Sequence, residues 1–310
     1  MLQSPFWLPK RQHSVALGGH PWPARVPKIA FSSVLKDIGL PAIPDEYDAE
    51  KDGCGQEFSG HMWGNDYNGD CECVTTANWT RVAEYHEQGK EILITDDDVL
   101  NFYHLLTGGA DSGTDDATVF AAWKTTGFTV SEPIPALTKA NIARMKALKK
   151  HPLLIKALLS CPCHWNPNPT PPSSGQCLKI YDSAELQGYD EIRCTVALLY
   201  GPRLVIKVPQ YAIDQFDARE PWHYDAKGNQ TIKGYHSIWG KKYYKRISTT
   251  TPKDIAFQIR TWGTVQDVTQ DFLDHNLEGS YCVVDYNDSF LQNSPIDPQK
   301  LEAEKKAIAG

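Results

Sequence analysis

The sequence predicts an α+β fold in which a helical half precedes a half rich in β-strands. Apolar residues recur at helical spacing in three segments between residues 71 and 126, and each segment ends at or near a glycine. Alternating apolar residues, typical of strands, follow after residue 200. With 310 residues and 41% apolar content, the chain can bury a core as one large domain or two small ones.

Residues 1–60 are predicted to form an extended N-terminal arm, because they contain seven prolines and show little periodicity. Such an arm can wrap the domain, contact a protein partner or cover an active site. The main domain is expected over residues 61–290. A C-terminal tail, residues 291–310, carries a short charged helix.

Three helices are predicted with identifiable ends. The first begins at Cys71 and ends near Gly89, the second spans residues 95–107, and the third spans 114–126. Thr95 and Asp98 have the spacing of a capping box. The acidic loop between the second and third helices lacks the ligand pattern of a calcium-binding loop, so we interpret it as a helix cap.

Cys71 is the candidate nucleophile. The residues before it form a polar, glycine-rich turn, and helical spacing begins directly after it, with Asp70 as a natural N-cap. A helix N-terminus favours the thiolate over the thiol, which would lower the thiol pKa. The competing interpretation is a buried cysteine of the core, because free cysteine is among the most buried residue types.

The neighbours of Cys71 favour the functional interpretation. Asn65 lies six residues upstream and Gly69 two residues upstream. This arrangement resembles papain-fold cysteine peptidases, and the G-N-D-x-x-G-D-C wording also resembles a set of poorly characterised bacterial and phage papain-like proteins. The resemblance implies a papain-like fold, in which a helical half carrying the nucleophile helix packs on an antiparallel β half. It also implies that Asn65 shares an oxyanion hole with the Cys71 backbone N–H.

His236 is the candidate base. It lies in a glycine-flanked apolar segment that reads as a strand, 165 residues after Cys71. Papain-like enzymes, which this chain resembles, carry their base on such a strand, with a spacing of roughly 130–150 residues. An insertion at about residues 157–190 accounts for the excess.

The orienting group of His236 is less clear from the sequence. The segment 260–263, Arg-Thr-Trp-Gly, resembles the N-S-W-G segment of papain-like peptidases, with Arg260 in place of the asparagine. A guanidinium cannot accept an imidazole N–H. We therefore take Gln258 as the catalytic candidate, and the alternatives are Asp254 or no orienting residue. Glu72 is a second departure, since a tryptophan commonly follows the nucleophile.

The insertion is rich in soft metal ligands. Cys161, Cys163, His164, Cys177 and Cys194 fall within 34 residues. Their spacing misses the paired C-x-x-C pattern of strong zinc sites, so unpaired thiols are favoured over a disulfide or zinc. No metal and no cofactor are expected.

Composition limits the partners. A net charge of −7 argues against nonspecific nucleic-acid binding. No apolar run is long enough for a transmembrane helix, and the N-terminus lacks the apolar core of a signal peptide. The expected location is the cytoplasm or a virion assembled there, and the expected partner is a peptide or protein substrate.

These observations predict a thiol hydrolase that cleaves peptide or isopeptide bonds through Cys71 and His236. Acyl transfer to an amine instead of water is a related possibility. The alternative is a virion or other structural protein that keeps the fold with little or no turnover, which the arm and Arg260 would favour.

Overall fold

The computed structural model describes residues 15–37, 39–50, 61–88, 92–130, 176–245, 254–285 and 294–309. Seven α-helices lie within these ranges. They are α1 (Cys71–Gln88), α2 (Asp96–Thr107), α3 (Asp116–Thr125), α4 (Tyr189–Leu198), α5 (Gln210–Ala218), α6 (Gln270–Asn276) and α7 (Pro298–Ala309). A short 3-10 helix occupies Phe31–Val34.

The described strands are mostly in one sheet. They are β1 (Gly19–His20), β2 (Glu46–Asp48), β3 (Thr114–Asp115), β4 (Phe128–Val130), β5 (Gln176–Leu178), β6 (Ile180–Glu185), β7 (Arg203–Pro209), β8 (Ile232–Tyr244), β9 (Ile255–Thr261), β10 (Thr264–Thr269) and β11 (Leu277–Asp285). The main path runs β10-β9-β8-β7-β11-β6, and each neighbouring pair is antiparallel. Strands β4 and β5 form a separate pair.

Strand β8 organises the molecule. It pairs with β7 along one edge and with β9 along the other, and the N-terminal strands β1 and β2 also pair with it. Helix α1 packs against β8. The α+β prediction is thereby confirmed, with the helical half and the antiparallel half meeting where α1 contacts β8.

The N-terminal residues are integrated into the fold. Phe31 and Val34 are fully buried, and Trp22 packs against the ring of Tyr281, with 4.9 Å between ring centroids. The segment predicted as an arm therefore wraps the domain and contributes to its core and its sheet over residues 15–50, apart from the undescribed residue 38.

The predicted helices agree closely with those observed. The capping box of α2 is confirmed, because Thr95 Oγ1 accepts from Asp98 N at 3.2 Å and Asp98 Oδ2 accepts from Thr95 N at 2.8 Å. At α1 the prediction was wrong in one respect. The Asp70 backbone carbonyl, and not its side chain, accepts from Cys73 N and Val74 N.

Two further findings concern the predictions. Three of the soft ligands predicted in the insertion, Cys161, Cys163 and His164, lie outside the described residues. Among the helices that are described, none combines the length and apolar character needed to span a membrane.

Candidate active site

Cys71 is the first residue of α1 and faces the strand that carries His236. The backbone N–H of Ser237, the residue after His236, donates to Cys71 Sγ at 3.4 Å. This contact joins positions 166 residues apart, because α1 packs against β8. The two residues that the sequence selected as nucleophile and base are therefore at the same place in the fold.

The Cys71 thiol is protonated in this state. Burial raises its pKa well above the usual range, Glu72 raises it further, and hydrogen bonds from the backbone of Ser237 and Gly18 oppose the shift. The side chain is 0% exposed. The expectation that this pKa is lowered is therefore wrong for the structure described, because desolvation of the thiolate is the largest influence on it.

His236 is held by side chains from the neighbouring strand. Its Nε2 lies 2.7 Å from Thr261 Oγ1, and its ring stacks on Trp262 with 4.5 Å between centroids and 18° between planes. The other ring nitrogen, Nδ1, is buried without a hydrogen-bond partner. In the tautomer in which Nε2 donates to Thr261, Nδ1 is the nitrogen that can accept a proton.

Burial also lowers the pKa of His236, to about 3. The unfolded chain binds this proton near pH 6.5, so the unfolded state holds more protons between these values. The stability gained by burying a neutral imidazole is therefore complete above pH 6.5 and is lost as the pH falls toward 3. At neutral pH, Cys71 and His236 form a neutral pair.

Gln258 does not orient His236, which corrects the sequence prediction. Its amide Nε2 donates to Asp267 Oδ1 at 2.9 Å on β10. Arg260 also points away from the site, and its Nη2 lies 2.8 Å from Glu50 Oε2. Both residues lie on the face of β9 opposite to Thr261, since successive side chains alternate in a strand.

A tight turn fixes Trp262 over the imidazole. Thr261 pairs with Thr264, so Trp262 and Gly263 form a two-residue hairpin turn, with φ angles of 42° and 69°. Positive φ at both central positions defines a type I′ turn, which a tryptophan rarely adopts. The indole thereby covers the hydrogen bond between His236 and Thr261.

Asn65 lies in the loop before α1, and its side chain forms a hydrogen bond within that loop. Its side chain is buried, and its amide Nδ2 donates to Asn68 O at 3.1 Å. Asp70, in the same loop, is a buried carboxyl whose pKa is raised to about 8 by desolvation, with the Asn65 side chain opposing the shift. The loop thus contains an acid whose neutral form is favoured by burial, directly before Cys71.

The loop between α2 and α3 hydrogen-bonds to the loop before α1 and holds it in place. Asp111 Oδ1 accepts from Gly69 N at 2.8 Å and from Tyr103 Oη at 2.8 Å. Tyr103 Oη in turn accepts from Gly113 N at 2.8 Å. The loop that was interpreted as a helix cap from the sequence does cap α3 through Asp115, and it also positions Gly69 two residues before Cys71.

The N-terminal arm contacts both Cys71 and the strand that carries His236. Gly18 hydrogen-bonds to the Cys71 sulfur, and Gly18 O accepts from Thr114 N at 2.9 Å. Gly19 pairs with Tyr235, the residue before His236, and with Thr114 in β3. The cleft is therefore closed by the chain's own N-terminal residues.

Comparison with solved structures finds proteins of similar architecture. Xylellain, a cysteine protease from Xylella fastidiosa, superposes with a TM-score of 0.55 at 14% identity, covering 90% of this chain and 99% of that chain. A procathepsin B from Trypanosoma congolense gives a TM-score of 0.54 at 11% identity, covering 90% and 89%. The fold is papain-like. No protein-family model and no curated protein sequence matches the chain.

Within this papain-like fold, Glu72 ties the nucleophile helix to the sheet. Arg203 on β7 lies 2.8 Å from Glu72 Oε2 and 2.6 Å from Asp116 Oδ1, and all three side chains are buried. Burial and the neighbouring Asp116 raise the pKa of Glu72 well above its usual range, and Arg203 opposes this. Glu72 Oε1 remains buried without a hydrogen-bond partner.

The soft ligands of the insertion are only partly described. Cys177 is exposed on β5, Cys194 is buried on α4, and both are free thiols. Among the described residues, no group of three or more histidine, cysteine or acidic side chains is arranged to hold a metal ion.

Two site residues escaped the sequence analysis. Thr261 could have been found, because the alternation of Ile255, Phe257 and Ile259 continues to residue 261 and not to Arg260. Gly18 carried no comparable signal. Its contacts with Cys71 and Thr114 depend on residues more than 50 positions away.

Proposed function

We propose that this chain is a papain-like thiol hydrolase that cleaves peptide or isopeptide bonds, with Cys71 as nucleophile and His236 as base. One observation carries the proposal. At the sulfur-bearing helix N-terminus, Ser237 N–H contacts Cys71 Sγ, while the adjacent His236 has Nε2 engaged by Thr261 and Nδ1 unpartnered. A nucleophile, a base and an orienting group for the base are the parts that covalent catalysis requires.

The chemistry follows from these positions. His236 Nδ1 accepts the thiol proton, and the Cys71 sulfur attacks the substrate carbonyl carbon. The amine leaves with the proton from His236, a thioester remains, and water then releases the acid and restores the thiol. The mechanism uses the tautomer in which Nε2–H donates to Thr261 Oγ1, which leaves Nδ1 unprotonated before the attack.

The oxyanion would be stabilised by the backbone N–H of Cys71 at the start of α1, together with the Asn65 amide. In the closed state that amide donates to Asn68 O. The proposal therefore requires the amide to exchange its loop partner for the substrate oxygen when the arm leaves and a substrate enters.

Activity also requires the arm to move. With Gly18 and Gly19 in the cleft, Cys71 and His236 are a buried neutral pair. Displacement of the arm admits water, which removes the desolvation penalty that holds both groups neutral. The structure described is, in this proposal, the latent form of the enzyme.

The test compares the reactivity of Cys71 with turnover. Leu17, a half-buried arm residue packed on the core, becomes Asp to loosen the arm in the full-length protein. We expect iodoacetamide to label Cys71 in Leu17→Asp faster than the buried references Cys73 and Cys282, and at pH values well below 8.5. His236→Ala in that background should abolish the low-pH labelling. Mass spectrometry of tryptic peptides gives each rate.

Hydrolysis of a mixed peptide library completes the test. Asn65→Ala in the loosened background should reduce turnover by roughly 10²–10³ while Cys71 labelling stays nearly unchanged, because the donor acts on charge that develops in the transition state. If labelling of Cys71 is no faster than that of Cys282, the catalytic assignment fails.

The complete burial of Cys71 and His236 favours one alternative, a structural protein that retains the fold without turnover. Absence of hydrolysis by the Leu17→Asp protein, together with unchanged folding of Cys71→Ala, would support that alternative over the enzyme.

A further inference from the structure

The arm crosses the cleft at a place where side chains do not fit. A methyl group added at Gly18 would overlap the carbonyl oxygen and Cα of Gly69. Seen from the other side, a methyl group on Gly69 would lie 2.9 Å from Gly18 Cα. Two glycine backbones are therefore in direct contact beside the Cys71 sulfur.

The position of Gly19 is tight, although less so than that of Gly18. A methyl group there would lie 3.2 Å from His236 N and 3.3 Å from Glu72 Oε1. Both glycines are buried, whereas His20, the next residue, is exposed. The constriction thus spans two consecutive residues and ends at the third.

The walls of this constriction are fixed. Gly69 N is bonded to Asp111, and Gly113, whose own Cβ would overlap Gly18 O, is bonded to Tyr103 Oη. On the opposite wall, His236 is paired in the sheet with Ile206. Neither wall can recede to accept a side chain without breaking these hydrogen bonds.

The residue before the constriction has space for an apolar side chain. Leu17 lies over Gly234 of β8, where an added methyl group would be 3.1 Å from Leu17 Cβ. Leu17 also packs against the core. The cleft therefore holds the sequence apolar-Gly-Gly, in the strand-like conformation that β1 shows.

We infer that the cleft is selective for peptides in which an apolar residue is followed by two glycines, and that Leu17-Gly18-Gly19 of the arm occupies the place of such a substrate. This inference rests on the proposed hydrolase function. The physical basis is exclusion, because any substrate segment passing the sulfur between Gly69 and His236 meets the same contacts as the arm.

The first experiment asks whether the constriction tolerates a methyl group. In the full-length protein, Gly18→Ala should expel the arm and raise the rate of Cys71 alkylation at least tenfold over wild type. Ala16→Ser, a change in the arm outside the two glycines, is the matched control and should leave the rate unchanged. A Gly18→Ala rate equal to that of wild type would overturn the inference.

The second experiment asks whether the constriction selects a ligand. The Leu17→Asp protein, with its arm loosened and both glycines intact, is alkylated in the presence of the hexapeptide Val-Ala-Leu-Gly-Gly-His. This peptide should protect Cys71 at concentrations at least tenfold lower than the same peptide with alanine in place of the first or second glycine. Equal protection by all three peptides, or none by any, would overturn the inference. This second experiment also decides whether the cleft is selective if Gly18→Ala does not fold.

The experiments distinguish a failure of the hydrolase function from a failure of the selectivity for consecutive glycines. Selective protection by the Gly-Gly peptide without hydrolysis would keep the selectivity and remove the hydrolase. Hydrolysis of the library with no preference for consecutive glycines would keep the hydrolase and remove the selectivity.

Discussion

The two walls of the cleft are held by different kinds of contact. On the base side, His236, Thr261 and Trp262 lie on adjacent strands or their connecting turn, and sheet pairing fixes their relative positions. On the nucleophile side, Asn65 and Gly69 lie in a loop held by side chains of another loop and by the arm, since Ala16 N donates to Asn65 O at 3.3 Å.

This difference indicates what changes when the arm leaves. The base wall loses the pairing of Gly19 with Tyr235 but keeps the hydrogen bond between His236 and Thr261, because that bond joins β8 to β9 and does not involve the arm. The nucleophile wall loses partners, because Gly18 contacts the sulfur and Ala16 contacts Asn65. Opening should therefore rearrange the oxyanion side and leave the imidazole oriented.

The largest expected effect is on folding stability and comes from removing the ion pair that joins α1 to the sheet. Arg203 joins Glu72 on α1 to the sheet, and Arg203→Met leaves two buried carboxyls without their cation. We expect a loss of about 3–5 kcal/mol in the free energy of unfolding. Urea denaturation followed by tryptophan fluorescence measures it.

The control for Arg203 lies four residues along the same strand. Lys207 pairs with Glu278 near the surface, so Lys207→Met should cost at most about 1 kcal/mol. Similar losses for both variants would show that the buried pair does not hold the walls together.

An effect of intermediate size concerns the dependence of folding stability on pH, which Asp70 causes in the loop before α1. The pKa of Asp70 is about 8 in the folded state against 3.8 in the unfolded chain, so the folded state binds more protons between these values. The stability gained from burying the neutral carboxyl is complete below pH 3.8 and is lost as the pH rises through 8. Asp70→Asn removes this loss.

Thermal melts from pH 4 to 8 test this prediction. The melting temperature of wild type should fall relative to Asp70→Asn by about 5 °C over this range. Asp96→Asn, a change at an exposed acid in the first turn of α2, should run parallel to wild type. Parallel curves for Asp70→Asn and wild type would contradict a buried neutral Asp70.

The smallest expected effect is on turnover and concerns the hydrogen bond between Thr261 and His236. Thr261→Val removes the hydrogen bond to His236 Nε2 and retains the shape of the side chain. In the Leu17→Asp background we expect kcat to fall about fivefold with KM unchanged, since one hydrogen bond contributes about 1 kcal/mol. Gln258→Leu, on the opposite face of β9, should leave both constants unchanged. A larger effect from Gln258→Leu would restore the assignment made from the sequence.

Local patterns predicted much of the helical half. Thr95 and Asp98 form the expected capping box, and α1 begins at Cys71 as the turn residues before it indicated. These features depend on hydrogen bonds between residues a few positions apart, which a short window of sequence contains. The strand carrying His236 was predicted from its own glycine-flanked apolar segment for the same reason.

By itself, the sequence determined the chemical groups available to the site: a cysteine at a helix start, a histidine on a strand, and a Trp-Gly pair that forms the covering turn. Only the tertiary structure decided that Thr261 contacts His236, that Glu72 is bonded to Arg203, and that Gly18 lies against Gly69 and the sulfur. Each of these contacts joins residues at least 25 positions apart. Burial, which raises the pKa of Cys71, likewise depends on what the rest of the chain packs around it, and no local pattern records that.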